Sequence, residues 1–367
     1  MSMMITGLLV FATLIYSVYT LFITRGLLAI PGRSIRTDHP AVAVVIAARN
    51  EEKNLPQLLS DLVAQKYSGP LDIYIADDRS TDSTWSILDQ ASKKHTHIHP
   101  IRITTTSTQL TPKKNALTEC LKRTTAEIVV STDADCSMGK NWVSSAVSHM
   151  TEGVGIVVGY SQVKGHTFFQ RYQALDFIGI MVANAGIMTL GPAWSGSGQN
   201  LAYRRSAFTD IGGFFPVADK VSGDDVYLVQ NIPARTGLKA IFNFDSDHFV
   251  ETLPMETVAE FLNQRIRWSS NSKGLEKTDP LFFGFLLSAF LTNTMILVSL
   301  IFGLMNPLFW MSFILKFLIE GMVLLVGVKR FAYWSHLLVY PVWFLVQPFY
   351  ISYVGLMGLR GKFNWKR

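Results

Sequence analysis

Charge is what this sequence has least of. Only 16% of its 367 residues are Asp, Glu, Lys or Arg, while 49% fall in the hydrophobic set. Soluble domains carry about 25% charged residues. The deficit excludes a disordered or fibrous chain and argues against an ordinary soluble enzyme. Cysteine is nearly absent: Cys120 and Cys136 are the only two, which excludes a disulfide scaffold and fits a reducing compartment. There is no run of basic residues, and a net charge of +6 is too small a bias for a nucleic-acid partner. No internal repeat or low-complexity stretch is visible.

What the chain does have is apolar sequence gathered at its two ends. Residues 3–24 carry no charge and suffice to cross a bilayer as a helix. No basic residue precedes this run, whereas Arg25, Arg33 and Arg36 follow it. That pattern predicts an uncleaved anchor with its N-terminus outside and the chain after it inside. Three further apolar segments lie at 281–304, 307–328 and 337–358. Lys273 and Lys277 before the first, the uncharged Asn306–Pro307 link, and Lys329–Arg330 after the second read as in, out, in. A third full span would place Arg360, Lys362, Lys366 and Arg367 outside, against the charge rule. The last segment, which holds Pro341 and Pro348, is therefore the candidate for a re-entrant or interfacial piece. The alternative is that the rule fails at this end. Lys316 and Glu320, four residues apart in mid-span, read as a mutual pair facing other helices, in preference to a contact in a polar channel.

Residues 40 to about 270 differ in character. AVAVVIAA (41–48), LDIYIADD (71–78), IHPIRI (98–103) and AEIVVSTDAD (126–135) read as strands. Between them run helical patterns: one capped by Asn50 and carrying Leu55, Leu58, Leu59, Leu62 and Val63, one from about Thr81 to Ser92, and one marked by Ala116, Leu117, Cys120 and Leu121. Such alternation implies a mainly parallel sheet with ligands bound beyond the C-terminal strand ends. Those ends carry Arg49–Asn50–Glu51, Asp77–Asp78 and Asp133–Asp135.

Asp133 and Asp135, two apart just past a strand, can hold Mg²⁺ or Mn²⁺ against phosphate oxygens, or simply form a solvated turn. Asp77 and Asp78 can meet a nucleobase or ribose, or cap the next helix. Lys113 or Lys114 can meet a diphosphate, with a surface lysine as the plain alternative for at least one of them. Asp224 and Asp225 offer a general base, or an acidic N-cap. Gln264-Arg265-Ile266-Arg267-Trp268 lies in an amphipathic segment, residues 255–270, just before the membrane. Arginine suits the phosphates of a leaving diphosphate, and tryptophan a sugar face or the headgroup belt.

Taken in order, AARNEE, ADDRSTDST, the lysine-bearing helix start, STDADC, GDD and QRIRW resemble the membrane-bound family 2 glycosyltransferases. That family includes ceramide and carotenoid glucosyltransferases and the processive cellulose, hyaluronan and poly-N-acetylglucosamine synthases. The resemblance covers roughly residues 40–270 and the flanking membrane layout. It implies an α/β fold: a GT-A (Rossmann-like, mainly parallel sheet) catalytic domain flanked by transmembrane α-helices. It also implies that Asp78 reads a uridine base, with Asp77, Ala47, Arg49, Asn50 and Glu51 lining the nucleotide pocket. Lys113 matches the diphosphate lysine, although Pro112 replaces the usual glycine and leaves Lys113 versus Lys114 open. Asp133 and Asp135 match the metal pair, and Asp225, beside Asp224, the catalytic base. Gln264, Arg267 and Trp268 match the QxxRW motif, and SGSGQN (195–200) the acceptor end.

The expected organisation is an anchor at 1–30, a cytoplasmic catalytic domain at 31–254, an interfacial helix at 255–280, and a membrane region at 281–367 with two to three spans. The expected protein sits in the inner (plasma) membrane. Its expected reaction is inverting transfer from a nucleotide sugar, a UDP-hexose, to a membrane lipid, with a divalent cation, Mg²⁺ or Mn²⁺. The rival readings are a processive polysaccharide synthase, a nucleotidyltransferase, and an inactive nucleotide-sugar-binding membrane protein.

Overall fold

The computed structural model describes residues 2–29, 35–273, 275–331 and 334–361. Arg33, Lys362, Lys366 and Arg367, used above to argue topology, lie outside the described residues. In chain order the elements begin with α1 (Ser2–Leu28), β1 (Val42–Ala48), α2 (Leu55–Val63), β2 (Leu71–Asp78), α3 (Thr84–Lys94) and β3 (Ile98–Ile103). There follow α4 (Pro112–Leu121), β4 (Ile128–Ser131), β5 (Cys136–Met138), α5 (Trp142–Ser148), β6 (Val154–Gly159) and β7 (Ser161–Val163). Next come α6 (Phe168–Thr189), β8 (Leu201–Arg204), α7 (Arg205–Asp210), α8 (Asp224–Thr236), β9 (Lys239–Asn243) and β10 (Val250–Thr252). The last are α9 (Val258–Ser270), α10 (Leu275–Thr278), α11 (Pro280–Ile301), α12 (Pro307–Phe331) and α13 (Tyr340–Arg360). They divide into two compact units.

The α/β unit comprises residues 35–162 and Gly191–Leu253. Its seven-stranded sheet runs in the order β3-β2-β1-β4-β8-β6-β9. β3, β2, β1 and β4 are mutually parallel, β8 is antiparallel to both its neighbours, and β6 and β9 pair in parallel. The expected α/β, mainly parallel sheet is present, with one reversed strand. Near-continuous valine, isoleucine and alanine in β1 reflect burial on both faces. Ile46, Leu58, Ile75, Val130 and Trp142 belong to one buried cluster. The order turns back between β1 and β4, the kind of switch point where ligands bind in open sheets.

Two local expectations are corrected here. Asn50 does not cap α2, which starts at Leu55 with Asn54 in the capping position. Asn50 instead takes a left-handed φ of 56°, a conformation asparagine tolerates better than most residues. The segment 126–135 is strand only over Ile128–Ser131, so both metal-pair aspartates follow the strand.

The helical unit comprises residues 2–29, Val163–Leu190 and 254–361. Among the described residues, four of its helical stretches are long and apolar enough to cross a membrane: Ser2–Leu28, Pro280–Ile301, Pro307–Phe331 and Trp334–Arg360. α1 packs on α6, α11 and α12. At the α1–α6 crossing a Cβ on Gly26 would fall 1.8 Å from the Gly186 carbonyl oxygen, so this approach requires glycine. Lys316 is fully buried and donates to Glu320 Oε2 at 2.7 Å, while the Tyr16 hydroxyl donates to Oε1 at 2.9 Å. The pair faces other helices, as expected. Pro341 lies in the first turn of α13, where its missing N–H costs nothing, and Pro348 sits inside the helix without ending it.

Candidate active site

The loops after β1 and β2 are joined by reciprocal hydrogen bonds. Asn50 N–H donates to Ser80 Oγ at 2.9 Å, and Thr81 N–H donates to Asn50 Oδ1 at 2.9 Å. Glu52 N–H donates to Asp82 Oδ2 at 3.1 Å, and Ser83 N–H returns to Glu52 Oε2 at 3.0 Å. Arg79, like Asn50, has a left-handed φ, 58°. Non-glycine residues held there store strain that cross-bonded surroundings must sustain. The result fixes two strand ends side by side.

On this frame Asp78, buried at the end of β2, takes both Arg79 Nε (2.8 Å) and Arg79 Nη2 (3.1 Å), with Arg49 Nη1 4.0 Å away. Asp77 is buried and accepts from Ser80 N–H at 3.1 Å. Glu51 accepts from Asn54 Nδ2 at 2.6 Å. Ala47 sits within β1, opposite Ala76. The six residues expected to line a donor pocket at these first two strand ends thus lie on neighbouring strand ends.

A second group gathers beyond β4. Lys113, in the first turn of α4, donates to Asp133 Oδ1 at 2.6 Å. Gly223, left-handed at φ 89°, starts α8, so Asp224 and Asp225 occupy its first turn and neither is the N-cap. Asp225 Oδ2 accepts Gly198 N–H at 3.0 Å and Oδ1 accepts Val226 N–H at 2.8 Å. A Cβ on Gly198 would lie 3.6 Å from both Lys113 Nζ and Asp225 Oδ2. Lys113, Gly198, Asp224, Asp225 and Phe214 line one small cavity of about 10 Å³, the room of a single water.

The electrostatics follow from that crowding. Burial pulls the Lys113 ammonium down, but the Asp133, Asp224 and Asp225 carboxylates outweigh it and hold its pKa well above normal. Burial, with Asp224 beside it, pushes the Asp225 carboxyl up to about 6, against the lowering pull of Lys113 and two backbone N–H groups. Burial pushes the Cys120 thiol up to about 12, and both cysteines are buried; neither is poised as a nucleophile.

Lys114 behaves differently from its neighbour. It is 1% exposed and its ammonium donates to the Val217 carbonyl at 2.8 Å and to the Lys220 carbonyl. The structure therefore separates the two lysines: Lys113 meets the carboxylates, and Lys114 holds the loop ahead of α8. Gly198 and Lys114 are site residues that motif reading passed over or left open. The SGSGQN segment pointed to the first, but nothing in the sequence marks which of its backbone amides is used.

Among the described residues no three His, Cys, Asp or Glu side chains are grouped for a metal ion. Asp133 and Asp135 alone still suit Mg²⁺ or Mn²⁺, which commonly take one or two carboxylates and complete their shell with water and substrate phosphate. The carboxylate oxygens of this pair are hard donors of the kind such an ion takes, with Lys113 already balancing charge at Asp133 Oδ1.

Gln264, Arg267 and Trp268 lie on α9, in the helical unit. Arg265, between them, was not singled out, yet it is the buried one. Its Nε donates to Asp176 Oδ2 at 2.8 Å, its Nη1 donates to Gln264 Oε1 at 2.5 Å, and its guanidinium lies 4.3 Å from the Trp268 ring centroid. Trp343 and Tyr350 also donate to Asp176, each at 3.3 Å. This network knits α9 to α6 and α13.

An α/β sheet with an acidic centre past β4 and cross-bonded loops after β1 and β2 defines a GT-A type domain, and the chain also has a helical unit with membrane-length helices. A solved structure supports that class. The mannosyltransferase PcManGT of Pyrobaculum calidifontis, in complex with GDP-Man and Mn²⁺, is similar over 98% of this chain and 99% of its own, with TM-score 0.66 and 21% identity. The Glycosyl transferase family 2 profile matches residues 43–212, and the profile of Glycosyl transferase family group 2 matches residues 128–346. The chain belongs to this family of glycosyltransferases.

Among curated relatives, the beta-monoglucosyldiacylglycerol synthase of Synechocystis sp. is 26% identical over 185 residues, 40% of this chain and 38% of its own. An N-acetylglucosaminyltransferase of Azorhizobium caulinodans is 24% identical over 245 residues, 64% of this chain and 60% of its own. The chain spans less than two thirds of the length of these relatives.

Proposed function

We propose that this protein is an inverting, metal-dependent glycosyltransferase that adds a hexose from a nucleoside-diphosphate sugar to a hydroxyl of a membrane lipid. The observation that carries the reading is Asp225. Its carboxylate is aimed by the Gly198 and Val226 amides, shares a cavity with Lys113, and has a pKa of about 6. A carboxylate so placed is a competent general base near neutral pH.

In the proposed reaction Asp225 takes the proton of the acceptor hydroxyl as its oxygen bonds to the anomeric carbon. The bond from that carbon to the diphosphate breaks, and the nucleoside diphosphate leaves with the electron pair. Asp224 keeps Asp225 basic by its charge. Lys113 balances the carboxylates and suits a diphosphate oxygen. Asp133 and Asp135 would hold the cation, which when bound neutralises charge on the leaving diphosphate. Asp78, with Arg49 and Arg79 beside it, suits the base end of the nucleotide, and Asn50, Glu51 and Asp77 keep that rim in shape. Gln264, Arg267 and Trp268 are assigned to the diphosphate and acceptor.

The lipid acceptor draws support from the glucosyldiacylglycerol-forming relative and from four membrane-length helices. The Mn²⁺ in the mannosyltransferase of similar fold agrees with the metal reading. The longer match to an N-acetylglucosaminyltransferase keeps N-acetylhexosamine donors in view. The proposed placement is the plasma membrane with the α/β unit on the cytoplasmic side. The test is the identity of the small product. Release of nucleoside diphosphate from labelled UDP- or GDP-sugars supports sugar transfer, and release of pyrophosphate would mean nucleotidyl transfer instead.

A further inference from the structure

Asn200 closes the turn that carries the Gly198 amide. Its backbone N–H donates to the Ser197 carbonyl at 3.0 Å, the bond from the fourth residue of a β-turn back to the first. Gly198 is the second residue of that turn. Its own N–H takes no part in the closing bond and donates instead to Asp225 Oδ2 at 3.0 Å. Asn200 is fully buried, while Gly198 and Leu201 from the same stretch line the cavity that Lys113 and Asp225 share.

The side chain of Asn200 is held by three partners from other parts of the α/β unit. Trp142 Nε1, on α5, donates to Oδ1 at 3.0 Å. Nδ2 donates to the Tyr160 carbonyl, between β6 and β7, at 3.0 Å, and to the His248 carbonyl, just before β10, at 2.5 Å. An indole N–H only donates and a carbonyl only accepts, so one orientation of the amide satisfies all three. The Asn200 backbone carbonyl accepts Gly159 N–H at 2.9 Å. Gly159 must be glycine here, because a Cβ would fall 2.1 Å from Asn200 Nδ2. The neighbouring turn residue, Gln199, is tied as well: its Nε2 donates to Thr252 Oγ1, on β10, at 3.0 Å. A stretch with glycines at 196 and 198 has little stiffness of its own. These bonds supply it, since any shift of Asn200 leaves a buried polar group without a partner.

We propose that Asn200 is a positioning residue for the transfer step: by pinning the 197–200 turn to Trp142, Tyr160 and His248 it keeps the Gly198 N–H on Asp225 Oδ2 and so aims the carboxylate at the acceptor hydroxyl. The inference rests on the general-base reading of Asp225 above. The Gly198 bond also lowers the Asp225 pKa, against the burial and the Asp224 charge that raise it. Losing the bond therefore has a signature in pH as well as in rate. The charged groups facing Asp225 are Asp224 on its own helix and Lys113 on α4, and the 195–200 segment brings none.

The test uses the full chain in detergent micelles, with a labelled UDP- or GDP-sugar that the wild type turns over and a membrane lipid extract as acceptor. Asn200→Ser removes the amide; Gly159→Ala keeps Asn200 but drives a methyl into its place. Both should lower kcat between about 10- and 100-fold, the scale of a catalytic group misplaced by about 1 Å, while donor KM stays within about twofold. Both should also move the acid limb of kcat/KM upward by about one pH unit, the share of one amide bond to a carboxylate. Trp142→Phe, which removes one donor and leaves the other two bonds, should change both readouts in the same direction by less, and it decides the matter where the first two variants do not fold. Leu58→Ala, in the buried cluster around the sheet, is the control: it lowers the melting temperature and should leave the acid limb and the kcat of the folded protein as in the wild type. Unchanged kcat, loss of rate with the acid limb unmoved, or the same changes in Leu58→Ala overturns the proposal. Near-normal turnover in Asp225→Asn removes the base reading itself, a result distinct from failure of the Asn200 assignment.

Discussion

In the proposed reaction Asp225 acts as a base only when ionised, and its pKa is raised to about 6 by burial and then by Asp224. The sign follows: kcat/KM should rise with pH through about 6 and level off above it. Asp225→Asn should lose about 10²–10⁴ in turnover while keeping nucleotide-sugar binding by calorimetry; near-normal turnover would remove the assignment. Lys113 lowers the Asp225 pKa, so Lys113→Met should move the acid limb of the pH profile upward, whatever it does to the overall rate. At this scale the sequence was readable for position, since Asp133 and Asp135 do lie just past a strand. It was unreadable where direction decides. Lys113 and Lys114 are neighbours in a helix and point about 100° apart, one to carboxylates and one to carbonyls. Asn50 has the chemistry of a cap but sits five residues before α2, in a turn fixed by its partners on the β2–α3 loop.

At the scale of elements, β2 and β3 occupy the stretches read from sequence, 71–78 and 98–103, and β1 differs by one residue. Apolar runs bounded by polar turns leave little freedom there. The segment from 140 to 255 was not resolved into elements. β8 is only Leu201–Arg204, too short for a periodic signal, and α6 buries side chains around much of its surface, so it shows no single stripe. Arg265 was passed over because an arginine beside Arg267 looks equally suited to phosphate; only its burial against Asp176 tells them apart. Removing one partner of such a buried pair costs about 3–5 kcal/mol, so Asp176→Asn should lower the melting temperature sharply. Gly26→Leu should do the same, since no Cβ fits against the Gly186 carbonyl. Lys114→Met leaves two carbonyls short of a donor, at about 1–3 kcal/mol each for a fully buried group. Turnover should fall with it while donor binding persists, readable as a change in kcat without a matching change in donor KM.

At the scale of the whole molecule, the shortage of charge belongs largely to helices such as α1 and α11, which carry one or no charged residues across membrane length. The α/β unit carries the acidic centre. Its paired aspartates make activity dependent on a hard cation in this account. Excess chelator should abolish transfer, and added Mn²⁺ or Mg²⁺ should restore it; activity unchanged in chelator would remove the metal role. The central claim, single sugar transfer to a lipid, is tested most directly by product partition. Purified full-length protein is incubated with a panel of radiolabelled UDP- and GDP-sugars and a membrane lipid extract, and products are separated between organic and aqueous phases. The account predicts label in the organic phase, as one added sugar, with loss of that product in Asp225→Asn. A ladder of water-soluble saccharides from the wild-type protein would contradict it.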